Sequence, residues 1–297
     1  MAKSPRKITL SNGHVIRTRE RIRFRPYMAV FYLLLIFFAA IVIVPLWWMI
    51  ANSFETIKTY AFPNPPHFWP VKFTWKNYNL VMMNTKMTDY LINSVIVTGM
   101  DVVLNLFIAS MAGFVFSKGR FPGKTLLLLM IMSSMMVPFE TKLMPIYRII
   151  QAWGLTNSHL GAVIPGALTA AFNIFMIKKF CDSLPDDMME SATVDGAGKF
   201  RIFLQIYLPL MGPILATLTV LTTMNSWNDL LWPMIILTKE QMYTVQVGMS
   251  VMSNGDFGVH SGMICAASCL SILPLALIFI FMQKYIVQSV AATGIKQ

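Results

Sequence analysis

The sequence predicts an all-α polytopic membrane protein with about six transmembrane helices. Of its 297 residues, 56% are apolar and only 12% are charged, too little charge to cover a soluble domain of this length. Several uninterrupted apolar stretches also reach the roughly 20 residues that carry a helix across a hydrocarbon core. A third observation, the placement of Lys and Arg, orients the spans.

Residues 1–27 form a basic segment with eight Lys and Arg. The first span, "MAVFYLLLIFFAAIVIVPLWWMI" at 28–50, has no charge and carries Trp47 and Trp48 near its far end as interfacial anchors. It is too long for a cleaved leader, and no small-x-small site follows it. Further spans are predicted at about 90–116, 125–147, 159–180, 206–226 and 262–284, so that 28–297 is one transmembrane domain. An even number of spans places both termini on one side. With this topology seventeen of the 24 Lys and Arg fall on the terminus side and seven on the other, which makes both termini cytoplasmic in a multi-pass protein of the cell membrane. The same bias accounts for the net charge of +11. The stretch "RKITLSNGHVIRTRERIRFR" comes directly before a span and reads as a topology determinant touching anionic lipid, not as a nucleic-acid arm.

Catalytic patterns are missing from the sequence. It has no phosphate-binding GxxxxGK[ST] loop, no HExxH and no G-x-S-x-G elbow. His14, His67, His159 and His260 fall in predicted loops or at span ends and make no ligand set, so no metal is expected. Cys181 stands alone, while Cys265 and Cys269 lie one turn apart and read as packing residues. The 24 methionines suit adaptable packing of sliding helices better than soft-metal transport. The chain is expected not to be an enzyme.

Two features point to transport. Prolines interrupt the spans at Pro138, Pro145, Pro165, Pro209, Pro213 and Pro274, and such breaks are tolerated in membranes where neighbours or a water-filled path satisfy the freed carbonyls. Two carboxylates, Asp101 and Glu140, fall within predicted spans, where acids are expensive and tend to be functional. The sequence "MNSWNDLLWP" adds Asn225, Trp227, Asn228, Asp229 and Trp232 at the outer end of the fifth span, a set that suits stacking and hydrogen bonding to a sugar but equally an interfacial belt. Asn93 and Glu140 are weaker candidates for the same path.

Between spans four and five, at about 182–205, lies "DDMMESATVDGAGKFRIFLQIYLP" and its flanks. Acids follow Pro185 where a helix would begin, and Gly196 and Gly198 would stop it. A short helix followed by a re-entering one makes an elbow. Its residue order, Glu190-Ser191-Ala192, then Asp195-Gly196-Ala197, then Ile206-Tyr207-Leu208-Pro209, resembles the loop signature of permease subunits of ATP-binding-cassette importers, with Ser191 in place of the usual first alanine. "FWPVKFTWKNYNLV", "LINSVIV", "VPFETKLMPIYRIIQAWGLTNS", "NSWNDLLWPMIIL" and "QKYIVQSVAATGIKQ" resemble the carbohydrate permeases of that group, of the maltose and glycerol-phosphate type. The tail departs from the family where Thr293 precedes Gly294 and Lys296-Gln297 closes the chain.

The resemblance implies a membrane-spanning permease subunit forming half of a pathway for a sugar or oligosaccharide. Its partners would be a second permease subunit in a heterodimer, two ATP-binding-cassette ATPase subunits and an extracellular substrate-binding protein. The chain would hold no cofactor, with ATP and Mg²⁺ bound by the ATPases. Glu190, Ser191, Ala192, Asp195, Gly196, Ala197, Ile206, Leu208 and Pro209 would form the cytoplasmic coupling elbow on an ATPase. The tail, at about 286–297, would add contacts through Gly294 and Lys296. The long polar segment at 238–262 would face the binding protein. The competing reading from the residues is an ion-coupled secondary carrier that uses Asp101 and Glu140.

Overall fold

The computed structural model describes residues 6–9, 15–18, 26–56, 65, 67–254 and 261–294. Two compact units are present, Met1–Trp48 and Met49–Gln297. The first unit holds most of helix α1 (Pro26–Ser53) and two short antiparallel strands, β1 (Arg6–Thr9) and β2 (Val15–Thr18). The β-branched residue types at positions 8, 9, 15 and 16 favour such extended pairing, and the other described elements are helical, as an all-α class requires.

The second unit is a helix bundle. After α2 (Lys76–Asn84) come α3 (Met87–Lys118), α4 (Lys124–Ser133), α5 (Phe139–Ala152), α6 (His159–Leu168) and α7 (Ala171–Asp182). Then follow α8 (Asp187–Val194), α9 (Lys199–Ile202), α10 (Leu208–Leu210), α11 (Gly212–Trp227), α12 (Leu231–Ile236), α13 (Val245–Asn254) and α14 (Ser261–Gly294). Among the described residues, three helices are long and apolar enough to cross a membrane unbroken: Ala29–Ser53, Met87–Lys118 and Ser261–Gln283. Three more crossings are bent pairs, Lys124–Met136 with Phe139–Ala152 at 108°, His159–Leu168 with Ala171–Asp182 at 47°, and Lys199–Leu210 with Gly212–Trp227 at 76°. Six spans result if each pair counts once.

The predicted third span, 125–147, is therefore not one straight helix. Pro138 holds Val137 in an extended conformation (φ −88°, ψ 118°), because its ring disfavours a helical residue before it, and α5 departs sharply. Lys142 Nζ reaches back to the Ser134 carbonyl at 3.3 Å, across the break. Pro145, Pro165 and Pro274 lie inside α5, α6 and α14 without splitting them. Before Pro209, residues Phe203–Tyr207 form a π-turn, a widened register that accommodates a missing proline N–H. The predicted polar segment 238–262 also has structure: a turn at Glu240–Met242 leads into α13, which buries Val245, Val247 and Met252.

Helix α3 is the central pillar, for it enters all three apolar clusters of the unit. Ala109, Phe114 and Phe116 pack with Ile177, Ile202, Tyr207 and Leu218. Tyr90 packs with Trp227, Val245 and Ala266, and Val97 with Ile150, Val163, Trp232 and Ile236. Gly113 permits the close approach of α7 to α3, since a Cβ there would stand 2.7 Å from Ile177 Cγ2.

Candidate functional site

A cavity of about 910 Å³ opens among α3, α6, α7, α11 and α12. Its polar lining is built from helix positions that face inward one at a time. Asn173 Nδ2 on α7 donates to Asn105 Oδ1 on α3 at 2.6 Å and to Thr222 Oγ1 on α11 at 3.1 Å. Asn105 Nδ2 in turn donates to the Gly166 carbonyl at 3.3 Å. These are neutral amides and hydroxyls satisfying one another, the arrangement a low-dielectric interior favours over charge.

Two carboxylates join this wall. Asp101 lines it from α3, and its Oδ1 is buried without a hydrogen-bond partner. Asp229 Oδ1 accepts from the Trp232 N–H at 3.5 Å, across the turn between α11 and α12. Phe139, Phe172 and Trp232 supply aromatic surface, and among the described residues no Lys, Arg or His lines the cavity. Trp232 is fixed by its Nε1 donating to the Gly161 carbonyl at 3.1 Å and by an edge-on contact with Phe139.

Of the residues singled out from sequence, Asn225, Asn228, Asp229 and Trp232 line the cavity. Three do not. Asn93 is buried beneath the segment before α13, its Nδ2 donating to the carbonyls of Gln241 and Tyr243 and its Oδ1 meeting His159 Nε2 at 3.0 Å. Trp227 is turned toward α14, where its Nε1 donates to the Ser271 carbonyl at 3.2 Å. Glu140 is exposed in the first turn of α5, carried away by the break at Pro138, while its neighbour Phe139 faces the cavity. Asn105, Asn173 and Thr222 were not singled out from sequence. A lone Asn or Thr inside an otherwise apolar run ("VVLNLF", "AAFNIF", "VLTTMN") was the signal for them.

The elbow is the second candidate region. Helix α8 ends in a glycine-closed cap: Gly196 has φ +79°, its N–H donates to the Thr193 carbonyl, and the Ala197 N–H donates to the Ala192 carbonyl, both at 3.0 Å. Such a doubly bonded end needs a left-handed residue, which only glycine adopts without cost. Ala192 is buried, and Ala197, Ile206 and Leu208 pack partly against the same core. Glu190, Ser191, Asp195 and Pro209 are exposed. The most exposed large apolar side chains of this region are Val194 at 88% and Phe200 at 59% exposure. Gly294 lies in the last turn of α14, and Lys296 is outside the described residues.

The family described as the binding-protein-dependent transport system inner membrane component matches residues 105–292, which takes in the elbow and all of the cavity lining except Val97 and Asp101. The chain belongs to this family. It is a multi-pass membrane protein and a non-catalytic permease component. Among relatives of this component is the arabinooligosaccharides transport system permease protein AraQ of Halalkalibacterium halodurans, 32% identical over 69% of this chain and 72% of that one. The diacetylchitobiose uptake system permease protein NgcG of Streptomyces coelicolor is 28% identical over 90% of this chain and 88% of its own. In fold, the permease resembles the crystal structure of a bacterial ABC transporter involved in the import of the acidic polysaccharide alginate. The TM-score is 0.77 at 24% identity, over 90% of this chain and 99% of that one.

Proposed function

We propose that this permease forms half of the translocation pathway of an ATP-driven, binding-protein-dependent importer for an uncharged sugar or oligosaccharide. The observation that carries the substrate class is the wall of the cavity: four Asn, two Asp and three aromatic rings, with no cationic side chain among the described residues. Sugar hydroxyls donate well to carboxylates and amide oxygens, and pyranose faces stack on aromatic rings. An acidic sugar would instead meet Asp101 and Asp229 without a counter-charge. The relatives named for arabinooligosaccharides and diacetylchitobiose support the same class.

In this reading the elbow is the docking element for a separate ATPase subunit that binds ATP and Mg²⁺, with both termini on its side of the membrane. Exposed Val194 and Phe200 would enter the ATPase surface, Glu190 and Asp195 would make its polar contacts, and Gly294 with Lys296 would add contacts from the tail. The segment around α13 would face the extracellular binding protein, and a second permease subunit would complete the pathway. Asn225, Asn228, Asp229 and Trp232, with Asp101, Asn105 and Asn173, would contact substrate.

Co-expression with its neighbouring subunits and purification in mild detergent tests this. Wild type is expected to bring down an ATPase and a second permease. Gly196→Pro, whose ring fixes φ near −65°, and Val194→Asp are expected to lose the ATPase while the permeases stay paired. Wild type that purifies without any ATPase contradicts the reading.

A further inference from the structure

One side chain fastens the elbow to the central pillar. Lys118 is the last residue of α3, and its side chain is only 6% exposed. Its Nζ donates to the Leu184 carbonyl at 2.7 Å and to Asp186 Oδ1 at the start of the elbow. The same ammonium stands 5.9 Å above the ring of Tyr207, which is fully buried at the end of the π-turn and packs on Phe114 of α3 at 4.9 Å. Next to it, Ser117 Oγ donates to Asp182 Oδ1 at 2.7 Å, and Lys178 Nζ donates to the other oxygen of that carboxylate. An exposed lysine pair is a loose contact. A buried ammonium held by a carbonyl, a carboxylate and a ring face is instead a fixed three-way joint among α3, the elbow and the re-entering helix.

The position of the joint matters because α3 is an unbroken helix. Asp101 and Asn105 lie on it, roughly 20–25 Å from Lys118 at 1.5 Å per residue. Displacement of the elbow would therefore reach the cavity wall through a rigid rod. We propose that Lys118 is a positioning residue for coupling, transmitting movement of the docked elbow to α3 and hence to the cavity. This rests on the permease reading above.

The test uses the assembled complex in nanodiscs. Cys181, Cys265 and Cys269 are replaced by alanine, and Leu221→Cys on the facing cavity wall serves as a maleimide reporter. Labelling is compared with ADP and with a non-hydrolysable ATP analogue plus Mg²⁺. In wild-type background the rate is expected to differ by about 5-fold or more, the low end of coupling between distant sites. Lys118→Met, which keeps the apolar stem, should retain the ATPase and its basal hydrolysis but lose most of that difference. Lys118→Arg should restore it. Asp186→Asn, an exposed substitution that leaves the core untouched, should reduce it. An undiminished difference in Lys118→Met or, should that variant not assemble, in Asp186→Asn overturns the joint. Loss of the response in Lys118→Arg as well would overturn it too, because the charge would then not be what matters. A wild-type complex that does not respond to nucleotide at all would sink the permease reading itself, and the joint with it.

Discussion

The cavity and the elbow are joined by one helix, yet their polar groups follow opposite rules. Around Asn105 and Asn173 the wall uses neutral amides and hydroxyls that bond one another across three helices. Around Lys118 and Asp186 the same helix α3 ends in ion pairs, with Lys178 and Asp182 beside them. The difference follows the surroundings. Inside an apolar bundle a charge without a partner is prohibitive, so neutral donors and acceptors are matched pairwise. Where the chain leaves the bundle, water lowers the cost of charge, and the Lys118 ammonium holds the Asp186 carboxyl below the usual carboxylate range. Asp101 stands apart from this scheme as a carboxyl group within the bundle with one oxygen unmatched.

Breaking the neutral network should have the largest effect on the fold. Asn173→Leu removes a donor shared by Asn105 and Thr222 and leaves two buried acceptors unmatched, for a loss of about 2–3 kcal/mol; thermal unfolding of the detergent-solubilised chain would measure it. A milder effect is expected at the elbow. Gly196→Ala forces an L-residue to φ +79°, a strain of about 1–2 kcal/mol. Its effect should appear less in the unfolding temperature than as weaker retention of the ATPase, since α8 is a short element at the rim. If Gly196→Ala lowered global stability as much as Asn173→Leu, the contrast between the two regions would fail.

The smallest effect is expected at the opposite rim, where Lys86 Nζ and the Tyr90 hydroxyl both donate to Glu240 at 3.1 and 3.0 Å. Lys86 first, then Tyr90, holds the Glu240 carboxyl below its ordinary value. A depressed value in the folded state stabilises above the unfolded value, and that stabilisation fades as pH falls through the folded one. Glu240→Gln should therefore cost at most about 1 kcal/mol at neutral pH, this being an exposed pair. The gap from wild type should close in acid, below the carboxylate range near pH 4. Unfolding curves at the two pH values would show it.

Much of the architecture was legible because hydrophobic length is a simple signal. The runs that define α1, α3 and α14 announce themselves, and Pro138, Pro209 and Pro213 mark where helices change direction. The 108° turn at Pro138 was not legible. Proline supplies the break, but packing of Phe139 and Ile150 with Val97, Val163 and Trp232 accompanies the new direction, and those neighbours are distant in sequence. The cavity was half legible for a similar reason. Asp101 and the 225–232 stretch carry polar residues dense or unusual enough to notice, whereas Asn105, Asn173 and Thr222 gain meaning only once three helices bring them together. Trp227 and Trp232 look alike in sequence, yet one anchors α14 and the other walls the cavity. Only tertiary packing separates them.

The most direct test of the account is the driving force for uptake. Proteoliposomes carrying the complete complex would be offered neutral oligosaccharides and the binding protein, either with ATP on the ATPase side and no ion gradient, or with a proton or sodium gradient and no ATP. Uptake that requires ATP and the binding protein, and that ignores the gradients, is the predicted result. Uptake driven by a gradient without ATP, and abolished by Asp101→Asn, would contradict it and make that carboxylate an ion-coupling site.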